Sequence, residues 1–184
     1  MFASPFTKLS VRGEKKLTSS LFCLLIITSV VMLYFDGYLT NEITPYGIVS
    51  FELANTLENS LNILNSWDAQ AKIFAGLSLG FDFLFLLIYT LFIALLTHKL
   101  NTQLWRNKPF YRIGELLIWT MFLTAIFDAI ENVGLIKLLL GDHYQLWSSM
   151  AFYFALAKFI FIIVGILYIL INTGCLLYKK FKDE

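Results

Sequence analysis

Long apolar runs, interrupted only by isolated polar residues, set the pattern of this chain. Four of them stand out, at Leu17–Phe35, Ile73–Thr97, Ile113–Leu140 and Ser149–Tyr178. A bilayer's hydrocarbon core is about 30 Å thick and takes roughly 20 helical residues, so each run is long enough to cross it. Backbone groups cannot stay unpaired in lipid, and runs of this length satisfy them as helices. The expected fold is all-α: an integral membrane four-helix bundle occupying residues 1–184 as a single transmembrane domain. The first run is read as a retained span, because only "YFDGYLTNE" follows it and no small-residue cleavage site is present.

The sizeable piece outside these runs is 36–71. Within it Ile48, Phe51, Ala54, Leu57, Leu61 and Leu64 recur every three or four residues, with Glu52, Asn55, Asn59 and Asn62 on another face. Thr44 as N-cap and Pro45 at the first helical position complete the signature of a short extracytoplasmic amphipathic helix over 45–66. Its polar face lacks the Lys and Arg of an anionic-lipid binder, which favours packing over the bundle.

Composition agrees with this pattern. Of 184 residues, 58% are hydrophobic and 15% charged, where a soluble domain carries about a quarter charged. A net charge of +1 offers no basic face for nucleic acid, which is excluded as a partner. The distribution of cations says more. Lys8, Arg12, Lys15 and Lys16 precede the first run, Lys99, Arg106, Lys108 and Arg112 fill the second connection, and Lys179, Lys180 and Lys182 follow the fourth run. Neither 17–71 nor "GDHYQ" contains Lys or Arg. The positive-inside rule then predicts a multi-pass protein with both termini cytoplasmic. A bacterial inner membrane fits the motifs, and in a eukaryote "KKFKDE" would resemble an ER-retrieval tail. Cys23 and Cys175 fall near cytoplasmic ends of their spans, away from an oxidising compartment, and read as buried thiols.

"FDAIENVGLIK" places Asp128, Glu131, Asn132 and Lys137 inside the third run. At 1.5 Å per residue, Asp82 lies roughly 13 Å below the outer end of its span and Lys158 about as deep, while Asp128 is roughly 22 Å from the cytoplasmic side. These positions fall in one slab of the outer half. Asp128, Glu131 and Asn132 share a helix face by their i, i+3, i+4 spacing. Lys137 is out of phase and near the interface, where it snorkels, and Glu115 can reach water or Arg112. Each isolated charge at such depth costs at least about 2.5–3.5 kcal/mol, so intramembrane ionisable groups are functional-site candidates. The rival reading is a buried ion-pair network that fixes helix register. Gly76 and Gly80 form a small-xxx-small pair expected to allow close approach near Asp82.

No catalytic motif or metal-ligand spacing is present: HExxH, GxSxG, a Walker loop and CxxC are all missing, and His98 and His143 read as ordinary interface and loop residues. No cofactor or metal is expected, and the balance is against an enzyme. The abundant aromatics, including Trp119, Phe122, Phe127, Phe81, Phe85, Tyr89, Phe154 and Phe161, are candidates to line a pocket around the acids.

"LSLGFDFLFLLIYTLFIALL" followed by "LTAIFDAIENVGLIKLL" resembles a pattern in uncharacterised bacterial four-span membrane proteins. The layout also resembles the EXPERA group, the sigma-2 receptor and emopamil-binding protein family: a first span ending in Asp36, then Pro45 and a luminal helix, Asp82 in span two, and a lysine-rich tail. That resemblance implies an intramembrane pocket with carboxylates that binds sterols or cationic amphiphiles. The isomerase's histidine-plus-glutamate pair has no counterpart within a span, so only a binding role carries over, to Asp36, Asp82, Asp128 and Glu131.

The expected function is binding or transfer of a hydrophobic ligand, lipid- or sterol-like or a cationic amphiphile. Asp82, Asp128, Glu131, Asn132, Lys158 and Asp36 are the ligand-binding candidates. Membrane lipids are expected partners, with a homo-oligomer or larger membrane complex also open. An accessory or assembly subunit of such a complex is one alternative, and a proton- or cation-coupled transporter acting as an oligomer is another.

Overall fold

A computed structural model describes residues 3–182, all-helical with no strand among the described residues. A single 3-10 turn, Pro5–Lys8, precedes six helices: α1 (Val11–Asp36), α2 (Ile48–Glu52), α3 (Leu57–Ser66), α4 (Ala69–Trp105), α5 (Tyr111–Leu139) and α6 (Gln145–Lys182). The last two residues of the "KKFKDE" tail lie outside the described residues. Helices α1, α4, α5 and α6 are long and apolar enough to cross a membrane. They cover the four apolar runs except Leu140, the C-cap of α5, and α4 and α6, at 37 and 38 residues, extend past theirs. Their outward faces carry Phe22, Ile27, Val30, Leu33, Leu87, Ile126 and Ile163, all exposed. A face this apolar suits lipid and would be an aggregation liability in water.

The helix starts follow capping chemistry. Ser10 accepts from Gly13 N at 3.1 Å to open α1, and Asp68 accepts from Ala71 N at 2.7 Å to open α4. Helix α4 is the hub, packing against α1, α5 and α6, while α1 rests principally on α4. Close approach is supplied by glycines other than the expected pair. A Cβ at Gly134 would lie 3.1 Å from Trp147 O, and one at Gly165 would lie 3.1 Å from Ile93 Cγ2. At Gly76 the nearest neighbour is Leu139 at 3.7 Å, and at Gly80 nothing lies within 4 Å, so the small-xxx-small expectation on span two is corrected.

The single amphipathic helix expected over 45–66 is two helices meeting at an angle. Gly47 and Asn55 take left-handed backbone, at φ 54° and 62°, which ends any continuous helix. Thr44 is not an N-cap: its hydroxyl donates to Leu39 O at 2.6 Å, and Pro45 sits in the turn closed by Gly47 N to Thr44 O. Asp36 caps α2 instead, accepting from Ile48 N at 2.7 Å, and Thr56 caps α3, accepting from Asn59 N at 3.2 Å. Gln145 fastens the break to α6, accepting from Leu57 N and donating to Asn55 O. Ser60 and Ser148 hydroxyls meet at 2.9 Å to tie α3 to α6. The pair thus lies across one end of the bundle, as packing over it requires.

Two apolar cores result. One, around Phe51, Trp67, Leu79 and Leu135, joins α2 and α3 to the bundle. The other, around Phe6, Leu86, Ile93, Ile118 and Met121, fills the half nearer the chain termini.

The Asp36–Gly47 contact generates a test. A Cβ at Gly47 would overlap the Asp36 carboxylate, and the left-handed backbone there costs a non-glycine residue roughly 1–2 kcal/mol besides. Asp36→Ala is expected to cost about 1 kcal/mol as a lost cap, and Gly47→Ala more. The double variant should lose less than the two together, because the overlap has been removed. Thermal unfolding in mild detergent reads all three, and strictly additive losses would show that the carboxylate does not sit there.

Candidate functional site

Between the two cores lies a layer of ionisable side chains drawn from four helices. Each arrives through local helix geometry. Asp128, Glu131 and Asn132 occupy one face of α5, Asp82 and Tyr89 lie two turns apart on α4, and Lys158 enters from α6. Glu52 is the last residue of α2 and hangs from that helix into the bundle.

The Lys158 ammonium is the hub. It donates to Asp128 Oδ1 at 2.7 Å and to Glu131 Oε1 at 2.9 Å. Glu131 Oε2 is also within 2.8 Å, in ion-pair contact without hydrogen-bond alignment, and Glu52 Oε2 lies at 3.5 Å. Tyr89 donates its hydroxyl to Asp128 Oδ2 at 2.6 Å, so both oxygens of that carboxylate are held. Asn132 donates to Asp82 Oδ2 at 2.5 Å. Glu131 is fully buried, Asp128 and Asn132 are 1% exposed, and Lys158, Glu52 and Asp82 are buried at 5%, 7% and 9%. Charge-assisted contacts of this length offset much of the desolvation that such burial costs.

The structure therefore brings together five of the six residues singled out from sequence: Asp82, Asp128, Glu131, Asn132 and Lys158. Asp36 is not among them, being occupied as the cap of α2. Glu52 and Tyr89 join instead. Periodicity puts Glu52 on the polar face of a continuous helix, and the break after α2 leaves it directed into the bundle. Its sequence signal was weak: a carboxylate beside Phe51, which is itself 1% exposed. Tyr89 is a pocket-lining candidate as an aromatic, and its spacing of seven from Asp82 puts it on the same face of α4.

Four carboxylates face one ammonium. If all were ionised the layer would carry −3 (−4 + 1), a charge that a dry layer does not sustain without protons, water or a cationic group.

A cavity of about 520 Å³ opens from this layer. Glu52, Asp82, Asp128 and Lys158 form its polar end, and the rest is apolar, with Leu25 and Met32 from α1, Phe85, Phe92 and Leu96 from α4, and Phe159, Ile166 and Leu170 from α6. Glu131 stands behind Lys158 and does not line it. Most of the aromatics expected around the acids point elsewhere. Phe127 packs with Phe154 and Phe161, and Trp119 with Phe122, so of the expected set only Phe85 and Tyr89 reach the cavity. Phe81 packs edge-on against Phe35 of α1.

Cys23 and Cys175 are exposed on the outer faces of α1 and α6 and not buried as expected, and Glu115 and His98 also differ from their expected settings. Glu115 is 5% exposed and forms no ion pair among the described residues, in place of the expected contact with water or Arg112. His98 is 6% exposed beneath the Phe6 ring, because α4 continues past Thr97 and the N-terminal turn covers it. Lys137 is half exposed, with its ammonium 3.8 Å from Asp142. Among the described residues no group of three or more His, Cys, Asp or Glu has the geometry to hold a metal ion.

No protein-family model matches the chain, and no curated protein or solved structure does either. The roles of these residues therefore rest on their own geometry.

Removing the one cation should be the costliest change in the layer. Lys158→Met strands three carboxylates and is expected to lower stability by about 3–5 kcal/mol. Tyr89→Phe loses one hydrogen bond to a charged group, about 1.5–3 kcal/mol. Glu52→Gln, at the longest contact, should cost least. Unfolding midpoints in detergent give the order, and a Lys158→Met protein as stable as the parent would mean that the carboxylates are not charged in the folded state.

Proposed function

We propose that this chain binds a hydrophobic amphiphile, lipid- or sterol-like, inside its bundle, and that it holds or hands on that ligand without transforming it. The observation that carries this reading is the cavity: about 520 Å³ of largely apolar space ending in carboxylates and one lysine. Ligand sites generally have this volume and this combination of apolar walls with a few convergent polar groups. Glu52 and Asp82 would meet the polar part of the ligand. Asp128 and Lys158 border the same end, while Glu131 and Asn132 position Lys158 and Asp82 from behind.

Orientation is part of the proposal. The connections rich in Lys and Arg would face the cytoplasm, placing α2, α3 and the polar end of the cavity in the outer half of the membrane. A bacterial inner membrane, or the ER membrane of a eukaryote, suits this layout.

Native mass spectrometry of protein extracted gently from its own membrane tests the ligand. The expected result is one chain, or a small homo-oligomer, with a retained small amphiphile that is lost or depleted in Asp82→Asn and Glu52→Gln. A heteromeric mass with no small molecule would instead favour an accessory subunit and remove the binding reading. Topology is tested separately by Ser66→Cys in a background lacking Cys23 and Cys175. A membrane-impermeant maleimide should label it from outside intact cells, and labelling only after permeabilisation would invert the orientation.

A further inference from the structure

A second group of buried polar side chains sits at the end of the bundle opposite α2 and α3, outside the cavity. On α4, His98, Asn101 and Thr102 fall on one face by their three- and four-residue spacing. Asn101 lies against α5 at Gly114, where any Cβ would overlap its side chain, and donates to Tyr111 O at 2.9 Å. That close approach brings Glu115, the next residue, within electrostatic reach of His98. Glu115 and His98 are 5% and 6% exposed.

Neither is satisfied. Both oxygens of Glu115, Nδ1 of His98 and the Thr102 hydroxyl are buried without a hydrogen-bond partner among the described residues. The Tyr111 hydroxyl stands near Glu115 and Thr102 but aligns with neither. Other charged or titratable neighbours come from three directions. The half-buried Glu14 of α1 faces His98, and the exposed Arg106 faces Tyr111. From α6, the Tyr168 hydroxyl is engaged by Asn101 Oδ1 at 3.0 Å.

The N-terminal turn, Pro5–Lys8, covers this pair. Phe6 is 8% exposed, and its ring centroid lies 5.8 Å from that of His98. Such burial makes net charge decisive. With one proton between them, Glu115 and His98 sum to zero, as carboxyl and imidazole or as carboxylate and imidazolium. With none, an unpaired carboxylate stays buried, and with two, an unpaired imidazolium does. Either is costly out of water. Lifting the turn is the shortest way to admit water, because its four residues belong to no spanning helix.

We propose that His98 and Glu115 form a proton-binding site that carries one proton while the N-terminal turn is docked, and that gaining or losing a proton releases the turn. The site is independent of the cavity, since the buried apolar side chains of Ile93, Ala94, Ile118 and Met121 intervene between it and the charged layer.

The test uses the full chain in lipid nanodiscs, in a Cys23→Ser, Cys175→Ser background. A nitroxide is attached through Lys8→Cys, an exposed position on the turn. Its mobility, read by EPR from about pH 4.5 to about pH 10, separates docked from released turn across the ordinary carboxyl and imidazole ranges and well above them. Docking should peak at an intermediate pH. The ratio of docked to released turn should fall roughly tenfold or more on each side, as one unpaired buried charge warrants. Glu115→Gln leaves only the imidazole, so the alkaline fall should vanish and the acid fall remain. His98→Gln leaves only the carboxyl, so the acid fall should vanish and the alkaline fall remain. Glu14→Gln should keep both. Glu115→Met and His98→Asn repeat the comparison if either first variant does not fold. A flat profile in the parent, variants that weaken docking equally at every pH, or a fall that disappears in Glu14→Gln would overturn the proposal.

Discussion

The contact on which the rest of the arrangement depends is the Lys158 ammonium held between Asp128 and Glu131. It lies between two apolar cores, where water is scarce and where each member alone would be costly to bury. Because α5 supplies the acids and α6 the lysine, the pair fixes the register of those helices. Tyr89 extends the constraint to α4 through Asp128, and Glu52 extends it to α2. Moving any of these helices by one residue would separate charges that the lipid-facing exterior gives no means to solvate.

The same layer makes a cavity possible. Side chains committed to one another cannot also fill the space beside them, and α1, which leans on α4, does not close it. The result is a cavity with an end of paired charges, at 2.7–2.9 Å, and apolar walls.

The lid formed by α2 and α3 shows how backbone detail decides a site. Gly47 and Asn55, two residues with left-handed backbone, break what would have been one amphipathic helix. Asp36 spends its carboxylate on the cap of α2, and Glu52 is thereby aimed into the bundle. Asp36, a ligand-binding candidate by resemblance, thus serves as a cap, and Glu52, on the polar face by its spacing, joins the buried layer.

The sequence by itself determined the spans, the slab and most of the cluster. Apolar runs of bilayer length leave only helices, and a rise of 1.5 Å per residue converts position into depth, which put Asp82, Asp128, Glu131 and Lys158 at one level. The i, i+3, i+4 spacing of Asp128, Glu131 and Asn132 determined their common face. What the tertiary structure alone decided was direction across helices: which aromatics line the cavity, that Glu115 and His98 are buried, that Gly134 and Gly165 rather than Gly80 mark close approach, and that Glu52 points inward. Periodicity fixes a residue's angle on its own helix but says nothing of how neighbouring helices are rotated, and it fails outright where a left-handed residue breaks the period. Those rotations follow from packing and from the pairing of buried charges, which are properties of the assembled bundle.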